Sequence, residues 1–569
     1  MAMSWELAMS AEHNSDEGKS EEPVGRVLSV QGSQAGIGLF VGIPSTSANE
    51  QDESPATVSK FLGIRRGQSL LVGVISDVSM EVPVLAREHG YRANASVDLM
   101  GEITDRNHPG GARFQRGVTH YPAIGDPAFL MSHSDLQTIY DIQATATIEV
   151  GRLQQDATIA ARVNVTEMIN KHFAVLGSTG VGKSCGVVLI LQEILSAWPE
   201  LRIFLLDSHN EYGQCFGDRA LVLNPGNLKL PFWLFTFDEM IEVLFSGRSG
   251  HDEEIEILAE LIPLAKGLYP QLTERPVARR TDPKSTGYTI DTPVPYRLQD
   301  LTALIDEQMG KLEHRASRMN YRRLMTRIET VSNDPRYAFM FERANVGGDT
   351  MADILRHLFR WQPNGKPMTI MQLAGFPSEV VDAVVSVLGR MAFDFGLWSE
   401  GAFQLLVVCE EAHRYVAADR SLGFQPTRWA LSRIVKEGRK YGIFLGLVTQ
   451  RPAELDATII SQCSTLFAMR MATDRDQDLV RAAVSDAAAN LLPFLPSLGT
   501  REVLAFGAGV ALPTRFTFPQ LPDDLIPRSE AMSRGHLTAD ARPDNRLIET
   551  VIEKWRGATT GKARLEDAG

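Results

Sequence analysis

The sequence predicts an α/β protein organised around a parallel sheet, with a small all-β unit ahead of the sheet and a helical segment inserted between two of its strands. Three observations predict this. The runs HFAVLG (172–177), RIFLLD (202–207), MTIMQLAG (368–375), FQLLVVCEE (403–411), GIFLGLVTQ (442–450) and STLFAMRM (464–471) are apolar and turn polar at their C-terminal ends, as strands covered on both faces do. From Val24 to about Thr145 the texture is short β-branched runs broken by Gly, Pro and Asn, such as GRVLSV (25–30), GLFVGI (38–43) and SLLVGVISDV (69–78), which suggests a small sandwich or barrel. Between about 238 and 350 helical periodicity takes over, from EMIEVLF to the long run ending RRLMTRIETV.

Taken in order, residues 1–22 carry six acids against Lys19 and read as a loose acidic tail. Residues 23–150 form the β unit, and 151–515 the α/β core with its helical insertion at about 238–350. Residues 516–569 form a polar C-terminal extension with a short amphipathic helix near LIETVIEKW (547–555). A chain of 569 residues with 44% apolar and 22% charged residues buries a large core without staples. Its net charge of −13 excludes a polycation that coats nucleic acid, though not a basic channel within an acidic body. The cysteines Cys185, Cys215, Cys409 and Cys463 lie far apart, which argues against a zinc ribbon or disulfide framework. There is no run of 18 apolar residues and no basic start ahead of a short apolar stretch, so we expect no membrane span, no signal peptide and a cytoplasmic protein.

The strongest chemical signal is Gly177-Ser178-Thr179-Gly180-Val181-Gly182-Lys183-Ser184, which fits G-x-x-x-x-G-K-[ST] between a strand and a helix. Its glycines let backbone N–H groups curl around phosphate oxygens, and the helix N-terminus favours an anion. Lys183 is expected on the β/γ-phosphates and the Ser184 hydroxyl on Mg²⁺. The second signal is LLVVCEEAH (405–413), an apolar strand ending in two acids and expected to emerge beside the phosphate loop. Glu410 then holds the Mg²⁺ shell and Glu411 orients or deprotonates the attacking water. Two acids suit hydrolysis better than phosphorylation of a small molecule, which needs no activated water. Alone, such a pair merely marks a strand running into a solvated helix.

Gln450, closing LGLVTQ, is placed to sense phosphate or hold water, and Asp207, closing RIFLLD, either reaches the nucleotide or caps the next turn. Arg433, Lys436, Arg439 and Lys440 cluster in RIVKEGRKYG (433–442), and in ring NTPases such a cluster supplies an arginine to the neighbouring subunit's site; its bland reading is a solvated helix face. Lys311, Arg315, Arg318 and Arg322 fall on one side of a helix, and Arg275, Arg279, Arg280 and Lys284 add a basic loop. Both patches suit a phosphate backbone, or acids such as Glu253, Glu254 and Glu256 across a subunit interface.

GSTGVGKS, LLDSHNEYG (205–213), LPFWLF (230–235), NDPRYAFMF (333–341), EEAHRY (410–415) and EGRKYGIFLGLVTQRPAELD (437–456) together resemble the HerA family, over about residues 150–515. The resemblance implies a RecA-like additional-strand P-loop ATPase core behind an N-terminal barrel of the HAS type. It implies ATP and Mg²⁺ as cofactors, and a homohexameric ring that moves along double-stranded DNA as a translocase or helicase. It also implies a docked effector, such as a NurA-like nuclease in DNA end processing or a sirtuin-like NAD hydrolase in anti-phage defence. By position, Lys183 and Ser184 are the phosphate-loop pair and Glu410 and Glu411 the acidic pair. Arg439 is the arginine acting in trans and Gln450 the sensor. The family's arginine acting in cis before the HFAVLG strand has Lys171 in its place here, or Arg152 further upstream. A ring that assembles and regulates an effector, with little DNA movement of its own, fits the same motifs.

Overall fold

The computed structural model describes residues 22–40, 56–80, 93–104, 112–142, 146–245, 250–269, 287–311, 315–342, 348–419, 423–484 and 489–528, with a few isolated positions besides. The acidic tail, the basic loop 275–284 and most of the C-terminal extension lie outside the described residues.

The β unit is a closed barrel. Strands β1 (Gly25–Gln31), β2 (Gln34–Leu39), β3 (Phe61–Arg66), β4 (Ser69–Ser79), β5 (Ala93–Thr104), β6 (Arg113–Arg116) and β7 (Pro127–Leu130) pair in the order β2-β1-β7-β3-β4-β5-β6, and β5 also pairs with β2, closing six strands on themselves. The long strands β4 and β5 make closure possible by coiling. Their register slips at Val72/Gly73, where a Cβ on Gly73 would lie 2.4 Å from Val97 Cγ1, so only glycine lets the two strands approach there. Val27, Ile37, Leu62, Ile64, Leu71, Ile75 and Val97 fill the interior. The alternate residues Leu70, Val72 and Val74 point outward and join the core of the rest of the chain. The barrel is therefore buried on one outer wall. Polar ties reinforce the seam: Asn490 Nδ2 donates to Asp98 Oδ2 at 2.6 Å, and Arg116 Nη2 reaches the carbonyls of Gly507 and Val510, both at 3.1 Å.

Among the described residues the second sheet has eleven strands. With β8 (Thr147–Leu153), β9 (Ala160–Asn164), β10 (Phe173–Leu176), β11 (Arg202–Asp207), β12 (Ala220–Leu223), β13 (Met368–Gln372), β14 (Leu405–Cys409), β15 (Ile443–Thr449), β16 (Thr465–Ala468), β17 (Glu502–Gly507) and β18 (Thr514–Thr517), its order is β12-β13-β11-β14-β15-β10-β16-β17-β18-β8-β9. From β12 to β16 the pairs are parallel, and from β16 to β9 antiparallel. Except at the edge strand β12, the parallel strands are buried on both faces, as their unbroken apolar runs require. Of the antiparallel strands, β8, β9 and β18 largely alternate buried with less buried positions, while β17 is buried through its middle. The expected end of the core at 515 falls inside β18.

The helical insertion lies between β12 and β13. Its helix Phe237–Phe245 is fastened to the core helix Ser378–Trp398 by the buried Glu239, whose carboxylate accepts from Ser386 Oγ at 2.7 Å and Arg390 Nη2 at 3.0 Å. Of the expected stripe, Arg315, Arg318 and Arg322 share the helix Arg315–Ser332, while Lys311 closes the helix Leu298–Lys311; residues 312–314 lie outside the described residues. Lys311 pairs with Glu307 at 2.6 Å on its own helix. The second helix is tied within the chain, Asn320 to Glu253 and Arg327 Nη1 to the Leu244 carbonyl at 3.0 Å. Among the described residues no helix is long and apolar enough to cross a membrane.

Candidate active site

The phosphate loop joins β10 to the helix Lys183–Ala197. Gly180 and Gly182 take φ of +76° and +95°, conformations an L residue adopts only under strain, and Gly182 forms the helix N-cap. The loop is pinned from both sides. The Gly177 amide donates to the Thr449 carbonyl at 3.3 Å, the Ser178 amide to the Arg470 carbonyl at 3.0 Å, and the Arg501 amide to the Val181 carbonyl at 2.8 Å. A loop so fixed holds its remaining N–H groups in place before an anion arrives.

The acidic pair does not emerge directly beside this loop. β15 stands between β10 and β14, so the end of β15 separates the phosphates' cradle from the acids. The reason is long-range: the β15 strand, late in the sequence, pairs with both neighbours over their full length. Its end carries Gln450, whose Oε1 accepts a hydrogen bond from Thr179 Oγ1 at 2.6 Å. The additional strand and the amide it carries thus complete one edge.

Lys183, Asp207, Glu410 and Glu411 are all buried. Asp207 accepts the amides of Glu211 and Tyr212 at 3.1 and 3.0 Å, so it caps the turn after β11. Glu410 Oε2 accepts the Ser208 amide at 3.1 Å, and Ser208 Oγ donates back to the Glu410 carbonyl at 3.2 Å, stitching β11 to β14 at the acids. Burial, then the charges of Asp207, Glu211 and Glu411, push the Glu410 carboxyl well above its ordinary range. Burial raises Asp207 too. Burial lowers Lys183, against the pull of Glu411, Glu410 and Glu211. One buried cation among several acids is a site short of positive charge, which a divalent metal supplies.

Residues that spacing alone did not single out complete the edge. Glu211 Oε2 lies 3.5 Å from Ser184 Oγ, His209 Nε2 lies 3.6 Å from Glu411 Oε1, and His413 Nδ1 lies 3.2 Å from Glu411 Oε2. They sit within the runs LLDSHNEYG and EEAHRY, where only the resemblance marked them. Burial keeps His413 below its usual pKa. Of the arginines, Arg470 and Arg501 bond the phosphate loop through their backbones. Lys171 and Arg152 are engaged elsewhere, Lys171 with Glu167 at 3.0 Å and Arg152 with Glu149 at 2.9 Å.

Arg439 is at the other edge of the sheet. It lies in the turn Gly438–Tyr441 that leads into β15, and the seven residues of β15 span about 20 Å before Gln450 is reached. Its side chain is exposed. Arg433, by contrast, is occupied, with Nη1 3.5 Å from Asp394 Oδ1 and its guanidinium over the Phe393 ring.

The family described as "Helicase HerA, central domain" matches residues 148–392, from β8 into the helix Ser378–Trp398. Over that span the chain is similar to the HerA helicases, and its phosphate loop and acidic strand end are those of a P-loop ATPase. A probable helicase of Methanocaldococcus jannaschii is 23% identical over 435 residues, 74% of this chain and 75% of that one. The DNA double-strand break repair helicase HerA of Sulfolobus acidocaldarius is 24% identical over 69% of this chain and 72% of its own length. Its counterpart from Saccharolobus solfataricus is 26% identical over the same shares. Among solved structures, VirB4 of Thermoanaerobacter pseudethanolicus aligns at 14% identity over 68% of this chain and 99% of that one, with a TM-score of 0.44. The HerA match ends before β14, so Glu410, Glu411, Arg439 and Gln450 lie beyond it.

Proposed function

We propose that this chain hydrolyses ATP to move double-stranded DNA through a homohexameric ring, with a nuclease or NAD-hydrolysing effector docked on it, in DNA end processing or phage defence. The observation that carries the catalytic part is the insertion of β15 between β10 and β14, which brings the phosphate loop, Gln450 and the acidic pair to one edge. The printed names of the relatives, DNA double-strand break repair helicases, support the DNA part.

The residues fit Mg²⁺ and ATP. Two left-handed glycines open the loop, a hydroxyl and a carboxylate face each other at Ser184 and Glu211, and Glu411 Oε2 is buried without a hydrogen-bond partner. In this reading Ser184 and Glu410 hold Mg²⁺, which when bound offsets charge on the phosphates and on the acids around it. Lys183 binds the β/γ-phosphates, and Glu411 takes the proton of the attacking water. Gln450 exchanges Thr179 for the γ-phosphate. Asp207 supports the site by holding the turn that carries Glu211. Arg439, too far from its own chain's phosphates, serves the neighbouring subunit.

The test measures ATP turnover with and without duplex DNA, beside mass by light scattering. A hexamer whose turnover rises with duplex DNA of any sequence supports the reading. A hexamer indifferent to DNA leaves a scaffold for an effector, and a monomer with full turnover removes the ring.

A further inference from the structure

The two acids at the end of β14 are held differently. Glu410 Oε2 accepts a backbone amide, whereas Glu411 Oε2 is buried and accepts no hydrogen bond. Glu411 also takes a left-handed backbone, φ 49° and ψ 44°, strained for a residue with a Cβ and a device that re-aims its side chain. Two residues on, His413 Nδ1 lies 3.2 Å from Glu411 Oε2 and 3.0 Å from Thr449 Oγ1. Thr449 is the last residue of β15. Its hydroxyl accepts the Arg451 amide at 3.0 Å, its carbonyl accepts the Gly177 amide, and the next residue is Gln450 on Thr179. One imidazole nitrogen therefore joins the acid to the strand end that also holds the phosphate loop.

A single nitrogen facing two oxygens bonds one of them well. Here the hydrogen bond is the one to Thr449, which leaves the Glu411 oxygen in contact with the ring yet with its lone pairs uncapped. A carboxylate that must accept a proton from water needs both conditions, a fixed position and a free oxygen.

We propose that His413 is a positioning residue for hydrolysis, tying Glu411 to the Thr449–Gln450 end of β15 so that the water-side acid and the phosphate-facing amide keep a fixed spacing. The proposal rests on Glu411 being that acid. His413 itself touches neither nucleotide nor water in this role.

The test compares His413→Ala, His413→Asn, Thr449→Val and the double variant His413→Ala/Thr449→Val with Glu411→Gln, by steady-state ATP hydrolysis and by affinity for a non-hydrolysable ATP analogue. His413→Ala should lower kcat roughly 10- to 100-fold, as misplacing a reacting group by a fraction of an ångström does, and leave analogue affinity unchanged. His413→Asn keeps an N–H donor near the Nδ1 position and should recover most of the rate. Thr449→Val keeps the side-chain shape, loses the hydroxyl and should lower kcat as well, with the double variant no slower than His413→Ala. Wild-type kcat in His413→Ala beside an inactive Glu411→Gln overturns the proposal. So do multiplicative losses in the double variant, or an affinity loss equal to the rate loss. Full activity in Glu411→Gln removes the acid assignment, and this inference falls with it.

Discussion

At the C-terminal edge of β10, β15 and β14 the charged groups are buried and crowd one another; at the N-terminal edge of the same strands, Arg439 and Lys440 are exposed and Trp398 stands in solvent at 83% exposure. The first edge has acids in excess and one buried lysine, and the second has cations open to solvent. A parallel sheet separates its two edges by the length of its strands, so one copy of the chain does not bring Arg439 to its own phosphates. Two copies in head-to-tail contact would. Such a heterologous contact, repeated about an axis, gives either a ring or a filament.

The most severe way to break this comparison is Lys183→Ala, which should leave no measurable ATP binding or turnover in filter-binding and phosphate-release assays. Arg439→Ala comes next. It should bind ATP normally and hydrolyse it about 10³-fold more slowly, the lower range for a lost arginine finger. Mixing it with Glu411→Gln should restore part of the activity, because some junctions then pair an intact acid with an intact arginine. No recovery after confirmed subunit exchange would return Arg439 to a surface role. Glu411→Gln alone should retain nucleotide and lose about 10²- to 10³-fold in kcat, since an amide takes no proton.

A smaller effect sharpens the contrast in burial. Because Glu410 is held well above the ordinary carboxyl range, the nucleotide-free fold keeps a proton that the unfolded chain releases above about pH 4. Stability therefore falls as pH rises from the unfolded value towards the raised folded one. Glu410→Gln should raise the melting temperature of the nucleotide-free protein at neutral pH and flatten that slope, while slowing hydrolysis. The smallest effect is expected at the open edge. Arg433→Ala removes a half-exposed pair with Asp394 and should cost about 1 kcal/mol or less in denaturant unfolding, with turnover nearly unchanged.

The phosphate loop was legible because its chemistry is local: eight consecutive residues hold the glycines, the lysine and the hydroxyl. The six strands read as apolar runs are all present, as β10, β11, β13, β14, β15 and β16. β12, β17, β18, β8 and β9 were not read: β12 is a half-buried edge strand, β8, β9 and β18 largely alternate, and β17 is half-buried at both ends. Glu211 and His413 carried no signal of their own. An acid or histidine in a polar loop looks like any other until the turn that Asp207 caps brings one to Ser184 and the left-handed Glu411 brings the other to Thr449. The basic stripe was legible in part: i, i+3, i+7 spacing is helical arithmetic and it holds for Arg315, Arg318 and Arg322, whereas Lys311 belongs to the helix before.

What the sequence by itself determined is the set of parts: buried strands, a phosphate loop, a strand ending in two acids, and an amide and an arginine flanking another strand. Which parts meet was decided only by the tertiary structure. Periodicity and propensity describe each strand's faces, whereas strand order comes from pairing between segments that lie about 270 residues apart, as β10 and β15 do. That pairing put β15 between the phosphate loop and the acids, set Gln450 against Thr179 at one edge, and sent Arg439 to the other.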